Sequence, residues 1–396
     1  MISVLAAAII VYILFRVDFR KFTSGSNPTN LQQENEIGSN IDYGILANRC
    51  NREIDSVLYN FGIKKEWITT ASKKGSSSAK WFVKDVKIPH DLTTAEINLD
   101  LSTYVKSIGL KESVREDIRT TAITFIIDAP QDTAGENALP LAIINITPVK
   151  DIKRDAGTLV LIINQISNFD KDELENILNI SNEFSYIFPR NPEEIELQNK
   201  LIQMKKDVLV NLTVGANDNF DADFRIGMEE KDLKQRVKSI ASDFPSIKSA
   251  ILSKISKEVP NDPVFGLIIN EFRKNGIYVY RDTILTKLLN STEEDSDNKV
   301  KLIVDRLKEK ASHSGNVIAV LNLSNDEFVD FYSKTQNLKK LGFKFYTFSH
   351  FIDREQERIE KEKEKKEEEL KKQLKEKESN KKKTTKPKQT KKSKKK

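Results

Sequence analysis

Four short polar groups close apolar runs in the second half of the chain, and any chemistry would fall to them. They are Asn164-Gln165 after Leu161-Ile162-Ile163, Asn211-Leu212-Thr213 after Val208-Leu209-Val210, Ser253-Lys254 after Ile251-Leu252, and Asn322-Leu323-Ser324 after Val317–Leu321. Apart from Lys254 their polar members are amides and hydroxyls, which donate and accept hydrogen bonds. None of those titrates near neutral pH. None is a good zinc ligand either, since zinc takes imidazole, thiolate or carboxylate. Asp282 beside Arg281, and Asp218, Asp221 and Asp223 together, read as loop-solvating and helix-capping acids. The three histidines, His90, His313 and His350, are far apart in the chain. His313 closes a helical stretch, where a cation suits the helix dipole. The one cysteine, Cys50, permits neither an intrachain disulfide nor a Cys-x-x-Cys zinc pair; it falls on an apolar helical stripe and reads as a core residue. No glycine-rich phosphate loop, nucleophile elbow or His-Glu-x-x-His pattern is present. The expected catalytic set, metal-ligand set and cofactor are therefore none.

The elements that must hold these groups alternate. Strand candidates are Leu159–Ile163, Tyr186–Phe188, Val208–Leu212, Ala250–Leu252, Ile277–Tyr280, Val317–Leu321 and Phe343–Phe348. Helical patterns lie between them at Lys171–Ile180, Pro192–Lys206, Met228–Ala241, Pro263–Asn275, Asp297–Ser312 and Asp326–Leu341. Such β–α alternation predicts an α/β unit over residues 150–352, a parallel sheet with crossover helices, open or closed into a barrel. Working residues of such folds sit at the C-terminal ends of strands, where the four polar groups stand. Residues 41–149 read as a small α+β domain. Leu46, Cys50, Ile54 and Phe61 mark one helix; Thr93-Thr94-Ala95-Glu96 is a capping box opening a second; Trp81–Ile88, Ala122–Ile127 and Leu139–Ile146 read as strands, with Asp128–Ala138 as a loop. Residues 353–380, almost wholly Glu, Lys, Arg and Gln, predict a solvated helix held by i,i+4 pairs, with too few apolar residues for a coiled-coil seam.

In the order of its segments the stretch 156–352 resembles the divergent branch of the polysaccharide deacetylase family. The resemblance implies a distorted (β/α) barrel that, in the family, removes N-acetyl groups with a metal-activated water. Where the family has Asp-Asp after its first strand, this chain has Asn164-Gln165. Tyr186-Ile187-Phe188-Pro189 fits the following apolar-Pro step. The family's His-Leu-Pro-Met corresponds to Asn211-Leu212-Thr213-Val214, and its Asn-Asn-His-Met-Gly-Ser to Ile251-Leu252-Ser253-Lys254-Ile255-Ser256. Its Gly-His-Pro strand end corresponds to Ile318–Leu323, which carries Asn322; Lys340-Leu341-Gly342-Phe343 before Phe345–Ser349 closes the likeness. By this correspondence every ligand position is substituted. A metal lowers the pKa of its bound water from near 16 to about 7, and an Asp→Asn change removes a general base outright. The resemblance therefore implies an inactive relative whose remnant cleft is Asn164, Gln165, Asn211, Ser253 and Asn322, able to hydrogen-bond a glycan or to fill the barrel top. A working hydrolase with displaced ligands is the alternative.

Ile2–Phe15 is a run of 14 largely apolar residues followed by Arg16, Arg20 and Lys21. It is short for a span, which needs about 20 residues, but snorkelling side chains extend its reach. Residues 1–22 are read as an uncleaved anchor rather than a signal peptide, and the polar residues 23–40 as a linker. The whole chain carries +6. With ten lysines and no acid in residues 381–396, residues 1–380 carry −4, so the body lacks the basic surface of a nucleic-acid binder. The lysine-rich segment is expected to be disordered, free or in contact with an anionic surface. The deacetylase resemblance places the body outside the cytoplasm, on a single-pass protein of the inner membrane with a glycan or envelope protein as partner. The basic residues behind the apolar run argue for the cytoplasm, where the lysines would meet nucleic acid or anionic lipid.

Overall fold

The computed structural model describes residues 43–74, 80–128, 140–164, 166–169, 174–175, 179, 183–219, 221–256, 259, 263–294 and 296–384. The expected anchor (1–22), the expected linker (23–40), Gln165, most of the loop 128–138, most of the helix expected at 171–180, and residues 385–396 lie outside them. No helix among the described residues is long and apolar enough to cross a membrane.

The first unit contains α1 (Tyr43–Asn60), β1 (Ile68–Lys74), β2 (Lys80–Pro89), α2 (Thr94–Ser107), β3 (Glu112–Asp117), β4 (Ala122–Asp128) and β5 (Pro140–Val149). The strands form one sheet in the order β1-β2-β5-β4-β3, with β2 and β5 parallel and the other pairs antiparallel. Strict alternation along β4 buries Ile123, Phe125 and Ile127, as expected of a sheet covered on one face. Ala47, Cys50, Ile54 and Leu58 of α1 and Ile97, Leu101 and Val105 of α2 cover that face. Thr93 and Glu96 form the capping box read from the sequence. Strands β1 and β3 were not expected: ITTASKK and ESVRED are polar edge strands without an alternating apolar signal.

The second unit runs β6 (Thr158–Asn164), β7 (Ser185–Pro189), α3 (Ile195–Gln203), β8 (Asp207–Gly215), β9 (Phe224–Arg225), α4 (Glu230–Asp243), β10 (Ser249–Lys254), α5 (Val264–Lys274), β11 (Tyr278–Arg281), α6 (Lys299–Ser314), β12 (Asn316–Asn322), α7 (Asn325–Leu341), β13 (Lys344–Tyr346) and α8 (Phe348–Thr384). All seven expected strands are present. Their near-continuous apolar runs suit strands buried on both faces. The sheet is parallel in the order β11-β10-β8-β7-β6-β12, with β13 beside the start of β6 and β9 beside the end of β8. It curls until the Thr286 N–H, just past β11, reaches the Ile318 carbonyl of β12 at 2.6 Å. One core lies between strands and helices, through Leu159, Leu161, Tyr186, Val210, Phe272 and Phe331 among others. A second fills the inside of the curl with Val160, Ile162, Ile187, Leu209, Ile251 and Phe348.

Two expectations at the end of this unit are corrected. The last strand stops at Tyr346, and the charged helix begins at Phe348 rather than at 353. Phe348 and Phe351 enter the inner core, because an apolar pair one helical turn apart can plug the open floor of the curl. The Phe348 N–H donates to Ser185 Oγ (2.7 Å), and the Ser349 N–H and hydroxyl donate to Asp207 (3.1 and 2.6 Å), which caps the exposed start of the helix. The helix runs on to Thr384, into the stretch expected to be disordered.

The two units are joined by ionic and backbone contacts. The Arg154 guanidinium donates to Asp91 (2.6 Å), the Phe61 carbonyl (3.1 Å) and the Lys340 carbonyl (2.7 Å). Gly342 makes room for it: a Cβ there would lie 2.6 Å from Arg154 Nε, and its φ is +102°. Lys340 pairs with Asp100, and Lys64 with Asp155.

Candidate functional site

Alternation along the parallel strands places the candidate residues. Val160 and Ile162 of β6, Leu209 of β8, Ile251 of β10, and Ile318 and Val320 of β12 face the inside of the curl. The next inward position toward each strand's C-terminal end is Asn164, Asn211, Ser253 and Asn322. The four therefore form the top layer of the interior, at the mouth. They are paired: Asn164 Nδ2 donates to Asn322 Oδ1 at 2.9 Å, and Ser253 Oγ donates to Asn211 Oδ1 at 2.9 Å. The first pair joins residues in register across β6 and β12. Gln165, the fifth candidate, lies outside the described residues.

The same alternation turns the charged neighbours away. Because Ser253 and Tyr280 point inward, Lys254 and Arg281 point outward, where both lie over the Phe265 ring at 5.9 and 4.7 Å. Asp282 follows β11 and opens a single helical turn whose Leu285 N–H returns to its carbonyl.

Among the loop acids, Asp223 holds a defined position. Its carboxylate accepts the Thr213 N–H (2.8 Å) and hydroxyl (2.9 Å), and Arg190 stands 3.7 Å away. Arg190 also pairs with Asp243 at 2.9 Å. Asp223 thus clasps the short β9 to β8. The Asp221 N–H closes a local turn on Asn219.

The histidines stay apart. His313 Nδ1 bonds the Glu309 carbonyl in the last turn of α6 at 2.7 Å. His350 stands edge-on to Tyr346 on the barrel floor, and His90 follows β2 in the first unit. Cys50 is wholly buried on α1, and burial pushes its thiol pKa up. Among the described residues no three His, Cys, Asp or Glu side chains are grouped to hold a metal ion.

Beside the mouth lies a groove of about 1070 Å³ whose walls include Asn168, Glu294, Asn298, Asn322, Ser324 and Asp326. A smaller cavity of about 290 Å³ between Asp282, Leu289, Ile303 and Val320 also reaches Asn322. Asn322 is the candidate that meets both openings. The groove was missed from the sequence because its walls come from a loop and two helix starts. The one local signal was Ser324-Asn325-Asp326-Glu327, a capping box that opens α7 directly after β12. Chemically the site offers amide and hydroxyl hydrogen bonding beside carboxylates.

No family model matches the chain, and no curated protein does. Among solved structures, an uncharacterized protein from Agrobacterium tumefaciens C58 aligns over 52% of this chain and 92% of its own, at 9% identity and a TM-score of 0.39. The Xyl-CE4 domain of a multidomain xylanase from the hindgut metagenome of Trinervitermes trinervoides aligns over 50% of this chain and 91% of its own, at 12% identity and a TM-score of 0.30. At such scores neither likeness carries an argument about fold or activity.

Proposed function

We propose that this chain is a non-catalytic protein of the cell envelope, built on a deacetylase-like curled barrel, that binds a glycan or an envelope protein at the barrel mouth. The observation that supports this reading is the pairing of Asn164 with Asn322 and of Asn211 with Ser253 in the top inward layer. A metal-activated hydrolase needs anionic or imidazole ligands and a base at that layer. Here the donors are neutral and serve one another. An amide engaged through one atom keeps its other atom for a ligand, so the same residues suit hydroxyl-rich partners entering from the groove at Asn322. The apolar run Ile2–Phe15 supports attachment to the inner membrane, and the sequence resemblance favours a body outside the cytoplasm.

The test is made on purified full-length protein supplied with zinc. Expected are less than about a tenth of an equivalent of retained metal and no acetate from an N-acetylated oligosaccharide, with binding of that oligosaccharide weakened about tenfold in Asn322→Ala, as loss of one hydrogen bond to the ligand predicts. One equivalent of zinc together with acetate release overturns the non-catalytic reading.

A further inference from the structure

The barrel floor, at the opposite end from the mouth, holds a separate cavity of about 540 Å³. Its walls come from residues just ahead of β7, β8 and β10, from β13 and from the first turns of α8. We propose that this cavity binds the phosphoryl group of a small molecule through Lys205, Lys206 and Lys248.

The backbone singles out Lys205. It follows the last turn of α3, and its φ is +59°. The Lys205 N–H bonds the Ile202 carbonyl, and the Lys206 N–H bonds the Leu201 carbonyl. That pair of bonds ends a helix through one left-handed residue. The same pair ends α1, α2, α5 and α7, where the left-handed residues are Gly62, Gly109, Gly276 and Gly342. Glycine takes this conformation without strain, and a residue with a Cβ does not. The end of α3 therefore asks for glycine, yet the chain carries a lysine that lines the cavity. Strain retained at such a position points to a use for the side chain.

Two more lysines line the same cavity. Lys206 is buried, whereas Lys205 and Lys248 reach solvent. Burial pushes the Lys206 ammonium pKa down, and an anion beside it offsets that cost. The neighbouring acids are engaged or exposed. Glu183 pairs with Lys339 at 2.6 Å. Asp207 accepts from Ser185 Oγ at 2.6 Å and from the Ser349 N–H and hydroxyl. Asp353 is exposed on α8. With Lys339 included, four lysines stand against these three acids, and His350 adds a further titratable group.

The type of cation selects the anion. Among the described residues that line the cavity, the cations are lysines and His350, with no arginine. The planar fork of arginine matches a carboxylate, whereas lysines act as separate point charges. Three of them suit a phosphoryl group, which carries up to about two charges and three acceptor oxygens. The rest of the wall is largely apolar, through Ile202, Val208, Phe345 and Tyr346. The volume falls within the range of small-molecule sites. A phosphate ester with an apolar body matches both parts.

The test uses the full chain and three probes, inorganic phosphate, phenyl phosphate and benzoate, in titration calorimetry at a fixed ionic strength. Expected is one phenyl phosphate per chain, bound more tightly than inorganic phosphate and about tenfold or more tighter than benzoate. Lys206→Met is expected to weaken phenyl phosphate about tenfold or more, as loss of a charged hydrogen-bond partner predicts. Lys205→Gly is expected to weaken it similarly while raising the urea midpoint, because the strain is gone. Lys231→Met, at an exposed position on α4, is expected to leave binding unchanged. Benzoate bound as tightly as phenyl phosphate, unchanged affinity in Lys205→Gly, or an equal loss in Lys231→Met overturns the proposal. A lower urea midpoint in Lys205→Gly overturns it as well, since the lysine is then kept for stability.

Discussion

At the scale of the residue, the chain places polar groups where only tertiary partners make them tolerable. Lys84 is fully buried on the covered face of β2 and is paired with Asp55 of α1 at 2.5 Å. The sequence shows a lysine between Val83 and Asp85, with nothing to mark it as internal. Removing one partner of a buried pair leaves an uncompensated charge, whereas replacing the lysine by an apolar side chain of similar length does not. Asp55→Ala is expected to cost about 3 kcal/mol in urea unfolding, and Lys84→Met less than about 1 kcal/mol. Equal losses would refute the pairing as the reason for the lysine. Glu293 gives a pH signature. Hydrogen bonds from Arg306 and from the Asn290 N–H hold its carboxyl at about 2, below the ordinary value of 4.5. Between those values the unfolded chain binds more protons than the native one, so the contribution is full above pH 4.5 and disappears as pH falls toward 2. The urea midpoint of Glu293→Gln should therefore fall less than that of the parent across that window. Parallel pH profiles would show that the pair contributes nothing.

At the scale of the element, local chemistry and tertiary context can be told apart. Both capping boxes, Thr93/Glu96 and Ser324/Glu327, carry the four-residue pattern. Ser324→Ala should cost about 1 kcal/mol, and Asn at that position should restore most of it; a thermal melt reads both. Strands β1 and β3 were illegible because an edge strand needs no apolar alternation, only a partner to bond. The start of α8 was misread for the opposite reason. Phe343–Phe348 is apolar enough for a strand, yet its last residue is the first of a helix, since the floor of the curl must be filled and Asp207 and Ser185 supply the cap.

At the scale of the whole molecule, Arg154 ties the first unit to the end of α7 through Asp91 and two carbonyls. Its side chain is 7% exposed, and Gly342 and Gly62 both leave it space. The two units should therefore unfold in one cooperative transition. Arg154→Met is expected to cost about 2–3 kcal/mol and to separate the loss of Trp fluorescence, which reports the first unit through Trp67 and Trp81, from the loss of total helix by circular dichroism. A single coincident transition in that variant would show that the units are coupled by other contacts.

From the sequence by itself came the class of the second unit, seven of its eight strands (the two-residue β9 carries no periodicity of its own), and the location of four polar groups at strand ends, because hydrophobic periodicity and turn chemistry are local. Those same patterns carry the neutrality of the candidate site, since side-chain type is chemistry already. Tertiary structure alone decided that Asn164 meets Asn322 and Asn211 meets Ser253, that a groove opens beside Asn322, and that a charged helix is rooted in the barrel by two phenylalanines. Those outcomes depend on which strand lies next to which and on how far the sheet curls, and neither is written in any short stretch of the chain.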